Sequence, residues 1–267
     1  MYPPAFRYAR AASLDQAEKM YAASGDAAYL SGGMTLIPTM KLRLASPNDV
    51  IDLNSIPELA FVRRNSDVLE IGACTRHADV AASSEAKKAI PALAHLASII
   101  GDPAVRHRGT LGGSIANNDP AADYPAAIVA LDSTVKTSRR EIAGKDFFTG
   151  MFSTALEDGE IVTSAAFRIP TRAGYAKFPN PASRYAMVGV FVADFNGSVR
   201  VAVTGAGPCV FRIEEMENAL AKDFAPDSAK RIEIPNEGLN ADLHASAEYR
   251  AHLVGVMAAR AVEAALG

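Results

Sequence analysis

The sequence predicts an α+β fold, and three observations carry that prediction. Strand-like stretches in the last third of the chain are followed by helical ones instead of alternating with them. The stretch MVGVFVADFNGSVRVAVTGAG sets two valine-rich runs about an Asn196-Gly197 pair, the pattern of a type I′ hairpin. A second hairpin, LAFVRRNSDVLEIGA, turns at Asn65-Ser66-Asp67 between two apolar-rich runs. No period of the solenoid kind repeats along the 267 residues, and the chain divides into sections 1–55, 56–170 and 171–267.

The elements follow in order. In SLDQAEKMYAAS, Ser13 and Gln16 fit a capping box, and Leu14, Ala17, Met20 and Tyr21 fall on one helical face. After the Gly25-Asp26 stop, AAYLSGGMTLIPTMKLRL reads as a brief apolar strand, two adjacent glycines and a helix with Pro38 in its opening turn. NDVIDLN is a strand through Val50, Ile51 and Leu53. The 56–170 section opens with the Asn65 hairpin and continues with helical patterns over 76–83 and 85–100, the second bent or restarted at Pro91. The glycine-rich stretch GTLGGSIANNDPAADYPAA comes next, then strands around 134–137 and 160–169, and Pro170 closes the section. Beyond the long hairpin, helical patterns over about 213–221 and 247–266 end the chain.

Composition narrows the function. Apolar residues make up 49% and charged residues 21%, near the globular average, and the net charge of -3 with no basic tract argues against a nucleic-acid partner. No apolar run is long enough to cross a bilayer. The opening MYPPAFRYARAAS lacks the apolar core of a secretion signal, so a cytoplasmic location is expected. Cys74 and Cys209 are too few and too separated for an iron-sulfur cluster or a structural zinc site, which leaves redox work to something other than protein-bound metal. His77, His95 and His107 form no metal or triad grouping and are expected at the surface or at helix ends.

Two short segments stand out: Ser31-Gly32-Gly33-Met34-Thr35 and Gly109-Thr110-Leu111-Gly112-Gly113-Ser114. A peptide N–H reaches an anion only where no side chain intervenes, so consecutive glycines with neighbouring hydroxyls suit a phosphate. Neither segment has Rossmann or P-loop spacing, and a lone Gly-Gly pair is ordinarily a turn. Two such segments from separate sections could grip one diphosphate from both sides.

Five separated stretches, YLSGGMTLIPTMKLRL, IGACTRHADVAAS, IGDPAVRHRGTLGGSIANNDPAADYPAA, DFFTGMF and KFPNPASRYAMVGV, together resemble the medium, FAD-binding subunit of the molybdenum hydroxylases. That group includes bacterial carbon monoxide dehydrogenase and the xanthine dehydrogenases, and the resemblance runs nearly end to end. It implies a fold of the vanillyl-alcohol-oxidase (PCMH) type: two α+β subdomains holding FAD between them, then a C-terminal domain with a three-stranded antiparallel sheet and helices.

By this resemblance, Ser31, Gly32, Gly33, Met34 and Thr35 with Thr110, Leu111, Gly112, Gly113 and Ser114 cradle the FAD diphosphate. Asp123, an acceptor when ionised, would take hydrogen bonds from cofactor hydroxyls, while Asp119 shapes the turn before Pro120. Ile100 matches an apolar position beside the flavin, though a buried helix end explains it equally. Ile161 matches a strand position near the ring, with an ordinary core residue as the alternative. Lys177 matches a lysine near the flavin, where its charge would favour the reduced ring. Ser31, Met34 and Ser114 depart from the commonest family residues while the glycines are kept.

The implied function is electron relay. A large subunit with a molybdenum-pterin cofactor and a small subunit with iron-sulfur clusters are the implied partners, assembled as a dimer of heterotrimers, and NAD, a quinone or a cytochrome is the implied acceptor. FAD would be bound without covalent linkage, and the chain alone would oxidise no organic substrate. The large subunit would choose among carbon monoxide, aldehydes and N-heterocycles. A stand-alone flavin oxidoreductase of the same fold is disfavoured by the short, valine- and alanine-rich last section, and a cofactor-free scaffold by the retained glycines.

Overall fold

Parallel pairing organises the first section in a computed structural model that describes residues 2–267. Strand β1 (Arg7–Arg10), helix α1 (Leu14–Ala22), β2 (Ala27–Leu30), α2 (Leu36–Lys41) and β3 (Asp49–Asp52) form a three-stranded sheet in the order β1-β3-β2, with helices making the crossovers that parallel strands require. The hydroxyl of Ser13 accepts the Gln16 N–H at 3.2 Å, and the Gln16 side chain reaches back to the Ala12 N–H at 2.7 Å, one residue earlier than a strict capping box. Ile51, Leu53 and Ala17 are buried in a small core that also receives Ile56, Cys74 and Ile161 from the next section.

The second section builds an antiparallel sheet and covers one face with helices. Its elements are β4 (Val62–Asn65), β5 (Val68–Gly72), α3 (His77–Ala82), α4 (Ser84–Ala89), α5 (Pro91–Ser98), α6 (Pro103–Arg108), α7 (Leu111–Asn117) and α8 (Tyr124–Ala130). They continue through β6 (Thr134–Thr137), β7 (Glu141–Ala143), α9 (Gly144–Phe147), β8 (Phe148–Gly150), β9 (Ser153–Thr154) and β10 (Val162–Arg168). The sheet order is β4-β5-β10-β6-β7, with β8 and β9 a separate two-stranded ribbon. The pattern expected over 85–100 splits at Ile90, whose extended backbone (φ -142°) is what a following proline favours. Ile161 lies just before β10 rather than inside it.

The second glycine segment is helical. It starts α7, with Thr110 as N-cap accepting the Gly113 N–H at 3.2 Å and Asn118 ending the helix in the left-handed region. Two adjacent glycines disfavour a helix by propensity, but here close packing decides: a Cβ on Gly112 would stand 2.5 Å from that of Ala73.

The third section forms an antiparallel sheet of β11 (Arg172–Pro179), β12 (Ala186–Phe195), β13 (Ser198–Thr204) and β14 (Phe211–Arg212), followed by α10 (Glu214–Lys222), α11 (Pro226–Lys230) and α12 (Ala247–Leu266). The three strands expected are joined by β14, a two-residue edge strand. Asn196 and Gly197 both have positive φ, as a type I′ turn demands. All ten residues of β12 are buried because both faces are covered. Val188, Val190 and Val192 pack with Leu253, Val254 and Met257 of α12, while Phe191 and Ala193 join Tyr175 in the core of the second section. That second face carries the link to the candidate site.

Candidate functional site

A cavity of about 590 Å³ opens where the first and second sections meet, a size suited to a small-molecule ligand. Both glycine segments reach it. Ser31, Gly32, Gly33, Met34 and Thr35 line it from the β2–α2 connection, and Thr110, Gly112, Gly113 and Ser114 line it from the start of α7. The segments touch: Ser31 Oγ lies 2.9 Å from Thr110 Oγ1, and Gly32 packs on the backbone of Arg108 and Gly109. Ser31 also donates to Cys74 Sγ at 3.3 Å, and its carbonyl accepts from the Asn54 side chain at 2.8 Å.

The two segments do not offer the same chemistry. Among the described residues, none of the N–H groups of residues 31–35 donates to a protein acceptor. Gly33, at φ +73°, turns this run of amides within a few residues, the concave arrangement that receives an anion. In the second segment the amides are committed: Leu111 N–H donates to Thr75 O at 3.1 Å, Gly112 N–H to Ala73 O at 2.8 Å, and Ser114 N–H to Thr110 O at 3.0 Å. Bare amides from both sides were expected; the structure supplies them from the first segment, because the second is bridged to the chain after β5 and wound into a helix. The Ser114 hydroxyl remains on the second side, while that of Thr110 is taken up by Ser31 and the Gly113 N–H.

Ile100, Asp123 and Ile161 also line the cavity, whereas Leu111 and Lys177 lie behind its wall. The Leu111 side chain is buried in the second section's core. Ile161 serves both readings given for it, being 3% exposed in the small core and part of the lining. Lys177 reaches in from β11, and its ammonium donates to Asp123 Oδ2 at 3.1 Å, lies 2.9 Å from Asp123 Oδ1, and donates to Ile99 O at 2.9 Å. Asp123 accepts a further bond from Tyr175 at 2.5 Å. Burial pushes the Asp123 carboxyl above the usual range, against the pull of Lys177 and Tyr175. Asp119 accepts the Ala121 N–H at 2.9 Å, the turn role expected of it, and burial raises its carboxyl.

Several lining residues were not anticipated. His77 opens α3 but is buried, not at the surface, and burial followed by the charge of Arg106 lowers its imidazole to about 4. It is neutral at pH 7. Its place in TRHADV gives no sign of this, since the groups packed on its ring, Gly109 and Tyr124 among them, are distant in the chain. Arg184 and Tyr185 reach the cavity from the β11–β12 connection, so the third section contributes to the site. Tyr185 lies within the quoted KFPNPASRYAMVGV stretch, a signal that could have flagged it.

Glu160 is the other unexpected lining acid. Burial raises its carboxyl, but Arg140 at 3.2 Å, the Glu157 N–H at 2.8 Å and the Thr137 hydroxyl at 2.6 Å outweigh that and hold it down to about 2. A folded-state value below the unfolded one means stability present above pH ~4.5 and lost as pH falls toward 2. Glu160→Gln is therefore expected to cost about 2–3 kcal/mol at neutral pH and almost nothing near pH 2, read from urea unfolding without added flavin. A cost independent of pH would contradict this.

Among the described residues, no helix is long and apolar enough to cross a membrane, and no group of three or more His, Cys, Asp or Glu is placed to hold a metal ion. Residues 4–172 match the family model described as the FAD binding domain in molybdopterin dehydrogenase. The chain is 34% identical to the glyceraldehyde dehydrogenase medium chain of Sulfolobus acidocaldarius, over 98% of each chain. It is 34% identical to the carbon monoxide dehydrogenase medium chain of Hydrogenophaga pseudoflava, over 99% of this chain and 98% of the relative. The crystal structure of quinoline 2-oxidoreductase from Pseudomonas putida 86 superposes with a TM-score of 0.90 at 27% identity, covering 100% of this chain and 99% of that one.

Proposed function

The chain belongs to the family of FAD-binding domains of molybdopterin dehydrogenases, and on that premise we propose that it is the electron-relaying medium subunit of a molybdenum hydroxylase, with FAD seated in the cavity. One observation carries the placement: the unpaired amides of residues 31–35 meet the hydroxyl-bearing start of α7 at a shared wall. These amides take the diphosphate, Ser114 adds a hydroxyl donor from the other side, and Thr110 holds Ser31 against the start of α7 through the hydroxyl they share. Leu111 holds the start of α7 by its buried side chain. Asp123 retains acceptor capacity toward the cavity and takes a sugar or ribityl hydroxyl. Ile100 and Ile161 flank the ring and exclude water, and Lys177 fixes Asp123 from behind.

When bound, FAD supplies electron exchange in pairs or singly. The protein binds, orients and insulates it, and no side chain need act as acid or base. Residues 1–55 and 56–170 serve as the two FAD-binding subdomains and 171–267 as the C-terminal domain. A large molybdenum-pterin subunit and a small iron-sulfur subunit complete the complex, assembled as a dimer of heterotrimers in the cytoplasm. NAD, a quinone or a cytochrome takes the electrons, and the large subunit selects the substrate.

Visible absorption of the purified full chain after incubation with FAD tests this reading. A flavin spectrum that survives gel filtration and is released by acid precipitation is expected, with no oxidation of aldehydes or N-heterocycles by the chain alone. A colourless protein, or substantial substrate turnover without partners, would overturn it.

A further inference from the structure

Three consecutive backbone carbonyls at one wall of the cavity are held by two cations. Ile99 O accepts from Lys177 Nζ at 2.9 Å, and Ile100 O and Gly101 O each accept from Arg106 Nη1 at 3.0 Å. Ile100 and Gly101 line the cavity, while Arg106 stands behind them. The cations differ in one respect. Lys177 is neutralised by Asp123 at 2.9 Å, whereas among the described residues Arg106 forms no ion pair. The acid one turn before it, Asp102, uses its carboxylate to cap the Val105 N–H at 2.9 Å.

We propose that Arg106 sets the electron affinity of the flavin in this cavity, by holding the Ile100 and Gly101 carbonyls toward itself and leaving one uncompensated positive charge behind the wall. Carbonyl oxygens facing the ring would oppose added electrons; with their negative ends on Arg106, they do not. A fixed charge in a partly buried setting favours the reduced state more than the same charge in water. His77, itself part of the lining, registers that charge: Arg106 adds to burial in keeping its imidazole neutral. The sequence places Arg106 among other basic residues, in RHR, with nothing to distinguish it from its exposed neighbours His107 and Arg108.

This inference rests on FAD occupying the cavity, and the test separates the two. FAD occupancy is read from visible absorbance and the midpoint potential from equilibration with a reference dye, for the full-length wild type, Arg106→Gln and Arg106→Lys. Arg106→Gln is expected to keep its flavin and to shift the two-electron equilibrium about tenfold toward the oxidised form, a midpoint lower by about 30 mV. Arg106→Lys, which keeps the charge, is expected to stay within about threefold of wild type. A shift below threefold in Arg106→Gln, an equal shift in Arg106→Lys, or loss of flavin from Arg106→Gln overturns the proposal. A wild type that binds no FAD removes the underlying reading as well, and shows it in the absorbance before any potential is measured.

Discussion

Lys177→Met is expected to lower the unfolding free energy by about 3–5 kcal/mol, because it leaves a carboxylate buried without its cation. The Lys177 side chain is 3% exposed and that of Asp123 4%, so water cannot replace the lost partner. Tyr175 would still donate to Asp123, and Ile99 O would lose its donor. The pH dependence has a definite sign. Burial already raises Asp123 in the folded state, and removing Lys177 raises it further, so the folded variant holds a proton that the unfolded chain has released. Stability then falls as pH rises above the ordinary carboxylate range. Urea unfolding at pH 5 and pH 8 should show the variant's deficit growing with pH. Lys177→Met combined with Asp123→Asn should recover part of the loss, since both charges are then gone. A deficit under 1 kcal/mol, equal at both pH values, would contradict the ion pair's structural role.

Gly32→Ala is expected to weaken FAD binding by about 10- to 100-fold while the far-ultraviolet circular dichroism stays near wild type. A Cβ at this position would collide with the carbonyl oxygen of Arg108 and stand 2.7 Å from Gly109 Cα, backbone atoms that cannot rotate away. Overpacking of this kind costs about 1–3 kcal/mol. Where the strain is relieved by parting the two segments, the Ser31–Thr110 hydroxyl bond opens and the amides of residues 31–35 lose their register with α7. Each 1.4 kcal/mol of that loss is tenfold in affinity. Gly25→Ala is the control, since its Cβ would meet nothing within 4 Å. Titration of flavin fluorescence against both variants decides the matter, and an affinity for Gly32→Ala within twofold of wild type would sink the convergence argument.

The elements legible in the sequence were those fixed by neighbours along the chain. Ser13 caps α1 through a residue three positions away, and Asn196-Gly197 adopts the positive φ angles that only a few residue types tolerate cheaply. The first glycine segment was legible for the same reason: Gly33 needs its positive φ locally, whatever surrounds it. Short elements such as β1, α6 and β14 carry too few residues for a period to emerge.

The sequence by itself determined the α+β class, the main hairpins and helices, the two glycine segments as the place to look, and through its motifs the family. Only the tertiary structure decided which of those amides stay free, that Lys177 points inward onto an acid 54 residues away, that His77 is buried and that Arg106 lacks a counter-charge. The physical reason is that dihedral preference and periodicity act over a few residues. Hydrogen-bond commitment, burial and charge pairing depend on groups brought together by packing, and the chain order does not encode them in any short window.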